Sequence, residues 1–139
     1  MQGLFVAEGE KLVREAPAGS VVQVIVSKSF AEEHPDADGW FPGSRPEIGI
    51  VEDGRYASLS DTRSPQGIMA LVRQTSFSAE EILGPMNPLI LVLENLQDPG
   101  NAGTIIRTAE AAGVGAIFLT EGSVDVYSPK TTRATMGSV

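Results

Sequence analysis

Apolar and polar positions alternate in short blocks along the first half of the chain, which predicts short α and β elements. Residues 8–16 (EGEKLVREA) place Leu12, Val13 and Ala16 on one side and charged residues elsewhere, as in an amphipathic helix. The β-branched run VVQVIV at 21–26 favours a buried strand. The same reasoning predicts strands at 48–51 and 66–72 and a short helix or turn at 53–61.

An acidic segment rich in proline and glycine, residues 32–46, interrupts these elements and predicts a loop. It contains the single histidine of the chain, His34, and the single tryptophan, Trp40. We expect His34 to be solvated and Trp40 to pack as a lid.

The second half has a clearer pattern. The continuous apolar run LILVLE at 89–94 predicts a parallel strand covered on both faces, and AIFLT at 116–120 predicts another strand. Between them a helix is predicted, with Asn101 as N-cap, Gly113 as the left-handed residue after its end and Val114 as the apolar residue beyond. The unit of about 30 residues is a β-α-β motif with a right-handed crossover. The apolar stripe of its helix consists of Ile105, Ile106, Ala109 and Ala112.

Gly and Pro punctuation between the two halves predicts a linker that holds one helical turn, with Ser78 as its N-cap. We therefore expect an α/β protein with a first domain at 1–78, a linker at 79–88 and a second domain at 89–139.

Composition narrows the classes of protein. The 139 residues are 42% apolar and 20% charged, which is ordinary globular usage, and no apolar run approaches the roughly 18 residues of a membrane span. The N-terminus lacks signal-peptide order, so we expect a soluble, cytoplasmic protein. The absence of cysteine excludes disulfides, thiolate metal sites and a cysteine nucleophile, and a single histidine disfavours a metal site.

The net charge of −8 argues against a broad nucleic-acid surface, because phosphate binding draws on basic patches. Residues 1–74 carry seven Lys/Arg against eleven Asp/Glu, and residues 75–139 carry three against seven. Any nucleic-acid site must therefore be local.

The loop ENLQDPGN at 94–101 follows a predicted parallel strand, at the edge where α/β proteins bind ligands. Its glycines and the helix N-terminus suit a phosphate or a ribose. The spacing matches neither familiar nucleotide fingerprint, however, so by itself it favours a tight turn before a capped helix. Arg107 points away from the apolar stripe. It either forms an exposed pair with Glu110 or presents a guanidinium to an RNA phosphate or hydroxyl.

Four segments together resemble the SpoU/TrmH family of RNA ribose 2′-O-methyltransferases. DPGNAGTIIRTAEAAGV (98–114) resembles its first motif, and SPKTTRATMGSV (128–139) resembles the start of the next, through Lys130, Arg133, Met136 and Gly137. LFVAEGEKLVREA and LSDTRSPQGIMALV resemble the two ends of its small substrate-binding domain, which shares a fold with kink-turn-binding ribosomal proteins.

The resemblance implies methylation of an rRNA or tRNA ribose 2′-hydroxyl with S-adenosylmethionine, by a homodimer that uses neither a metal nor a membrane. It assigns catalysis to Arg107, which would assist deprotonation of the hydroxyl, and to Asn101, which would hold the loop near the target. Further candidate RNA contacts, each also explicable as solvated surface charge, are Lys130, Arg133, Lys11, Arg14 and Lys28.

Later family motifs, G-x-E and S-L-N, tie the knot that holds S-adenosylmethionine, and neither lies in these 139 residues. We therefore expect this chain to be the first part of a parallel-sheet SPOUT domain preceded by the small α/β domain, with its cofactor site mostly beyond residue 139 and no activity by itself. Two alternatives stay open: an RNA-binding module without chemistry, and an unrelated nucleotide-binding α/β domain.

Reading the gene downstream of the codon for Val139 tests the family interpretation. A G-x-E stretch followed by S-L-N should appear within roughly one small domain's length. An unrelated sequence there would contradict it.

Overall fold

The computed structural model describes residues 3–43, 45–84 and 88–138. The chain divides into two compact units, residues 1–74 and 75–139. Residues 75–78, predicted to end the first domain, group with the second unit. The functional assignment of the two domains stays a prediction.

The first unit is a four-stranded mixed sheet with helices between its strands. Its strand order is β1-β4-β2-β3, in which β2 and β3 are parallel and the pairs β1–β4 and β4–β2 are antiparallel. In chain order the elements are β1 (Leu4–Glu8), α1 (Glu10–Glu15), β2 (Val21–Ser27), α2 (Lys28–Glu33), a 3-10 helix (Ala37–Trp40), β3 (Glu47–Val51), α3 (Asp53–Leu59) and β4 (Ile68–Arg73).

The core of the first unit forms where the sequence places its apolar residues. Val13 of α1 is buried, with Leu12 and Ala16 packed against the same cluster, so the predicted helical face is confirmed. Val24 and Val26 of β2 are buried as well. The predicted strands form at 21–26, 48–51 and 66–72, and the predicted helix forms at 53–61. Their ends are shifted by up to two residues.

Two elements of the first unit escaped the pattern analysis, β1 and α2. The side chain of Ser27 caps α2 by accepting the Phe30 N–H at 3.2 Å, so a polar residue inside a strand-like run starts the helix. The predicted loop contains the 3-10 helix. The expectation of a solvated His34 was wrong: its ring stacks on Phe30 at 4.2 Å between centroids and is half-buried.

The second unit is built around a β-α-β motif. Its two strands pair in parallel, as predicted. In chain order the elements are α4 (Ala79–Ile82), β5 (Ile90–Leu93), α5 (Pro99–Ala111), β6 (Ala116–Leu119) and α6 (Pro129–Thr135). No helix in the described parts of the chain has the length and apolar content needed to cross a bilayer.

The predicted cap of α4 is confirmed. The Ser78 N–H donates to the Glu81 carboxylate at 2.6 Å, and the Glu81 N–H donates to the Ser78 hydroxyl at 3.2 Å. This reciprocal capping box lowers the pKa of Glu81, through the Ser78 backbone bond first and the side-chain bond second.

Helix α5 also ends as predicted. Gly113 has a φ of 73°, and its N–H donates to the Glu110 carbonyl at 3.0 Å, while the Val114 N–H donates to the Ala109 carbonyl at 2.9 Å. These two bonds form a Schellman motif, which satisfies carbonyls that the helix leaves open.

Two expectations about burial in the second unit were wrong. Ala112 is exposed, because the buried stripe of α5 is rotated toward Ala102, Gly103, Ile106 and Ala109, with Ile105 only half-buried. The apolar strand β5 is not covered on both faces: Val92 is 61% exposed and lies beside the exposed Phe118 of β6. The described sheet of this unit has two strands, and nothing described covers this face.

Helices α5 and α6 meet at a glycine. A Cβ added to Gly103 would lie 2.3 Å from the Cβ of Ala134 and 2.5 Å from its carbonyl carbon. Gly103 is therefore required for the close approach of the two helices. Helix packing alone explains why a glycine stands at this position.

Gly103→Ala should lower the free energy of unfolding by about 1–3 kcal/mol, because the added methyl overpacks the helix contact. Gly54→Ala in α3 is the matched control, since a Cβ there meets nothing within 4 Å. Urea unfolding followed by circular dichroism measures both. Equal stability of the two variants would contradict the close contact.

Candidate functional site

The turn between β5 and α5 carries the candidate catalytic motif, and Asp98 organises it. Asp98 is the N-cap of α5 and its carboxylate accepts the Asn101 N–H at 2.7 Å. The prediction of Asn101 as N-cap was wrong. Pro99 has no N–H and a fixed φ suited to the first helical position, so the helix starts there and places Asn101 at the third.

A neighbouring loop holds this turn from the other side. The Asn95 N–H donates to the Thr120 hydroxyl at 3.0 Å, and the Leu96 N–H donates to the Ser123 hydroxyl at 3.2 Å. The Val124 N–H donates to the Leu96 carbonyl at 2.7 Å. These bonds fix the backbone of the turn, including Asn95 at a φ of 49°, and so fix where α5 begins.

Asn101 and Arg107 both lie on the exposed side of α5. Six residues separate them, which corresponds to about 9 Å along the helix axis and about 120° around it. Thr104 lies between them on the surface and donates its hydroxyl to the Gly100 carbonyl at 3.0 Å. We call Asn101, Thr104 and Arg107 the polar strip of α5. The strip places an amide and a guanidinium on the exposed side of one helix.

The expected surface pair between Arg107 and Glu110 does not form. The Glu110 carboxylate instead accepts the Ser138 hydroxyl. Within the described residues, the Arg107 guanidinium has no hydrogen-bond or ion-pair partner. Its side chain is therefore exposed and available to an anionic ligand, as the sequence predicts for a residue pointing off the core.

Helix α6 carries the two other basic residues of the second unit. Lys130 is exposed, whereas Arg133 is half-buried and engaged in an interaction of its own. They are three residues apart and so neighbours on one face, as predicted. The helix ends at Met136 and Gly137, both with positive φ.

The three basic residues singled out in the first unit each have an acidic partner. The pairs are Lys11 with Glu15 at 3.9 Å, Arg14 with Glu10 at 2.9 Å, and Lys28 with Glu52 at 4.0 Å. Exposed ion pairs of this kind contribute little to stability, so they do not prevent binding to RNA. They do reduce the positive potential that would attract a phosphate.

The described residues form no group of three or more His, Asp or Glu suited to a metal ion. They also do not by themselves fit S-adenosylmethionine. Two cavities of the second unit, of about 550 and 300 Å³, have mostly apolar linings, in which the charged groups are Glu81 and Glu110. No described lysine or arginine lines either one, so neither offers a cation to the carboxylate of that cofactor.

Comparison with known families agrees with this architecture. Residues 88–139 match the SpoU rRNA Methylase family, and residues 1–70 match the MRM3-like substrate binding domain. Residues 88–139 thus carry the match to the SpoU rRNA Methylase family, and residues 1–70, half of the chain, belong to the MRM3-like substrate binding domain family.

Individual relatives carry related names. The 23S rRNA (guanosine(2553)-2'-O)-methyltransferase RlmP of Bacillus subtilis is 33% identical over 135 residues, which cover 96% of this chain and 50% of that protein. The mitochondrial rRNA methyltransferase 3 of Mus musculus is 45% identical over 150 residues, covering 99% of this chain and 34% of that protein. The AdoMet-bound rRNA methyltransferase from Sinorhizobium meliloti superposes with a TM-score of 0.76 at 29% identity, covering 98% of this chain and 51% of that one. The chain thus spans between about a third and about half of the length of these relatives.

Asp98, Thr120 and Ser123 are site residues that sequence reasoning missed. A signal for Asp98 was present, because an Asp-Pro pair is a strong helix start: aspartate suits the N-cap and proline suits the next position. Thr120 and Ser123 had no local signal, since their partners lie 25 and 27 residues away.

Asp98→Ala should destabilise the second unit by about 0.5–2 kcal/mol, because the Asn101 N–H loses its acceptor. Asp98→Asn keeps an oxygen in place and should lose only a few tenths. Denaturant unfolding compares the two variants. If the alanine variant is as stable as the asparagine variant, the cap does not hold the turn.

Proposed function

We propose that this chain belongs to an enzyme that methylates a ribose 2′-hydroxyl of ribosomal RNA, with S-adenosylmethionine as methyl donor. The observation that carries the proposal is the exposed Arg107, which has no partner among the described residues and lies on a helix whose start is fixed by Asp98, within the segment that matches the SpoU rRNA Methylase family. The name of the Bacillus relative supports the 2′-hydroxyl as target, and the bound form of the Sinorhizobium structure supports the donor.

The reaction requires a ribose hydroxyl to lose its proton as it attacks the methyl carbon. S-adenosylmethionine supplies that methyl group when bound. A guanidinium stays protonated in proteins, so Arg107 does not act as an ordinary base. Its contribution is to stabilise the negative charge that develops on the 2′-oxygen, or to hold an RNA phosphate beside it.

Asn101 supplies the second group of the polar strip. Its amide offers both a donor and an acceptor, which suits a ribose hydroxyl that must be held in one orientation. Because Asp98 fixes the backbone at Asn101, the amide needs little reordering when substrate binds. Lys130 and Arg133 extend the basic surface of this unit toward the RNA backbone.

The first unit contributes RNA binding in this proposal, through its substrate-binding family match and through Lys11, Arg14 and Lys28. We further propose that the enzyme acts as a homodimer, as the family resemblance implies. The alternative, RNA binding without chemistry, shares the first unit and differs only in the role of Arg107.

Arg107→Ala, introduced into the protein encoded by the complete gene, should reduce methyl transfer by a factor of about 10² to 10³, since a charge-stabilising donor is lost. RNA binding should fall by less than tenfold. Transfer of the labelled methyl group to ribosomal RNA measures the first, and filter binding measures the second.

Arg55→Ala serves as control, because Arg55 is an exposed helical arginine of the first unit without an assigned role. Normal methylation by Arg107→Ala would refute the catalytic role of this residue. Absence of methylation even in the unchanged protein would favour the RNA-binding alternative.

A further inference from the structure

A guanidinium lies over the single indole ring of the protein. The Cζ of Arg14, on α1, lies 3.5 Å from the centroid of the Trp40 ring. The Arg14 Nη2 also pairs with the Glu10 carboxylate at 2.9 Å. Two contacts of different kinds, one with the Trp40 ring and one with the Glu10 carboxylate, therefore hold this guanidinium in place.

The support beneath Arg14 is itself fixed. The Trp40 ring meets His34 edge-on at 5.4 Å and Phe30 edge-on at 5.8 Å, and His34 and Phe30 stack on each other. Phe30 belongs to the buried core of the unit. The stack thus connects a surface cation to the core through aromatic contacts, each of which stabilises the next.

We propose that Arg14, supported by Trp40, is a platform on which an unpaired base of the RNA substrate stacks. The inference rests on the proposed function for its ligand class, and it assigns to the substrate-binding unit a recognition surface made of Arg14 and Trp40. The Arg14 side chain is 47% exposed, so part of it is accessible to a ligand although it contacts the indole and Glu10.

The charge pattern favours a base over a phosphate. Glu10 neutralises Arg14 along its edge, which weakens attraction to the RNA backbone but leaves the planar face unchanged. Arginine planes are common stacking partners for unpaired RNA bases. A chain with a net charge of −8 gains little from long-range attraction to RNA, so its affinity depends on short-range contacts of this kind.

A cavity of about 330 Å³ in the same unit is a poorer site for the RNA backbone. Its lining includes Glu33 and Asp53 and none of the described lysines or arginines. Negative charge there repels phosphate, which leaves the Arg14 platform as the better supported contact for a single strand.

Fluorescence anisotropy of a labelled single-stranded RNA oligonucleotide, titrated with the whole chain, tests the platform. Arg14→Lys keeps the charge and the distance to Glu10 but lacks a planar group. It should weaken binding by about fivefold to 100-fold, the range for the loss of one stacked base. The dependence of affinity on salt should not change, because no phosphate contact is removed.

Arg55→Lys is the matched control, an exposed helical arginine of the same unit without an aromatic neighbour among the described ring contacts, and it should bind as the unchanged chain does. An abasic oligonucleotide, which retains the phosphates, should bind the unchanged chain and Arg14→Lys equally weakly. Trp40 emission and thermal unfolding verify that Arg14→Lys is folded. If it is not, Arg14→Met, which also lacks a planar group, replaces it, with a similar expected loss.

Unchanged affinity of the folded Arg14 variant, or an abasic strand that binds as tightly as the complete one, would overturn the platform. These measurements distinguish a failure of the platform from a failure of the proposed function. Unchanged RNA affinity of the Arg14 variant together with intact Arg107-dependent methylation rejects only the platform, whereas Arg14-dependent base stacking in a protein that does not methylate RNA rejects only the enzyme.

Discussion

The bond between the Asp98 carboxylate and the Asn101 N–H sets the geometry of the second unit. It fixes the first turn of α5, and α5 in turn carries both the packing surface against α6 and the polar strip of Asn101, Thr104 and Arg107. The hydrogen bonds that Thr120 and Ser123 accept hold the preceding turn in place. One short capped turn therefore connects the end of a strand to the exposed groups on which the proposed chemistry depends.

Sequence periodicity predicted most of the fold, because the strands and the longer helices bury one clear face. Periodicity failed where a single local hydrogen bond determines the residue at which a helix starts. Ser27 turns the end of an apolar strand into a helix start, and Asp98 with Pro99 places the N-cap of α5 three residues ahead of Asn101. The helical position of Arg107 could be derived from its spacing to the apolar stripe. The capture of Glu110 by Ser138 could not, since that contact joins residues 28 apart in sequence.

The net charge of −8 is compatible with the proposed binding of RNA when the partners of each basic side chain are considered. The basic side chains singled out in the first unit are paired with carboxylates, while Arg107 in the second has no described partner. Under the proposed function, a protein built this way attracts RNA weakly at a distance and discriminates at contact. Specificity then comes from shape, stacking and hydrogen bonds more than from counterion release.

The glycine contact between α5 and α6 also restricts motion. With Gly103 against Ala134, no gap separates the two helix backbones, so α6 cannot approach α5 any further. The helix that carries Lys130 and Arg133 is therefore in direct contact with the helix that carries Arg107. The second unit thus has a mechanical link between its basic helix and its proposed reactive surface, made from a residue that has no side chain.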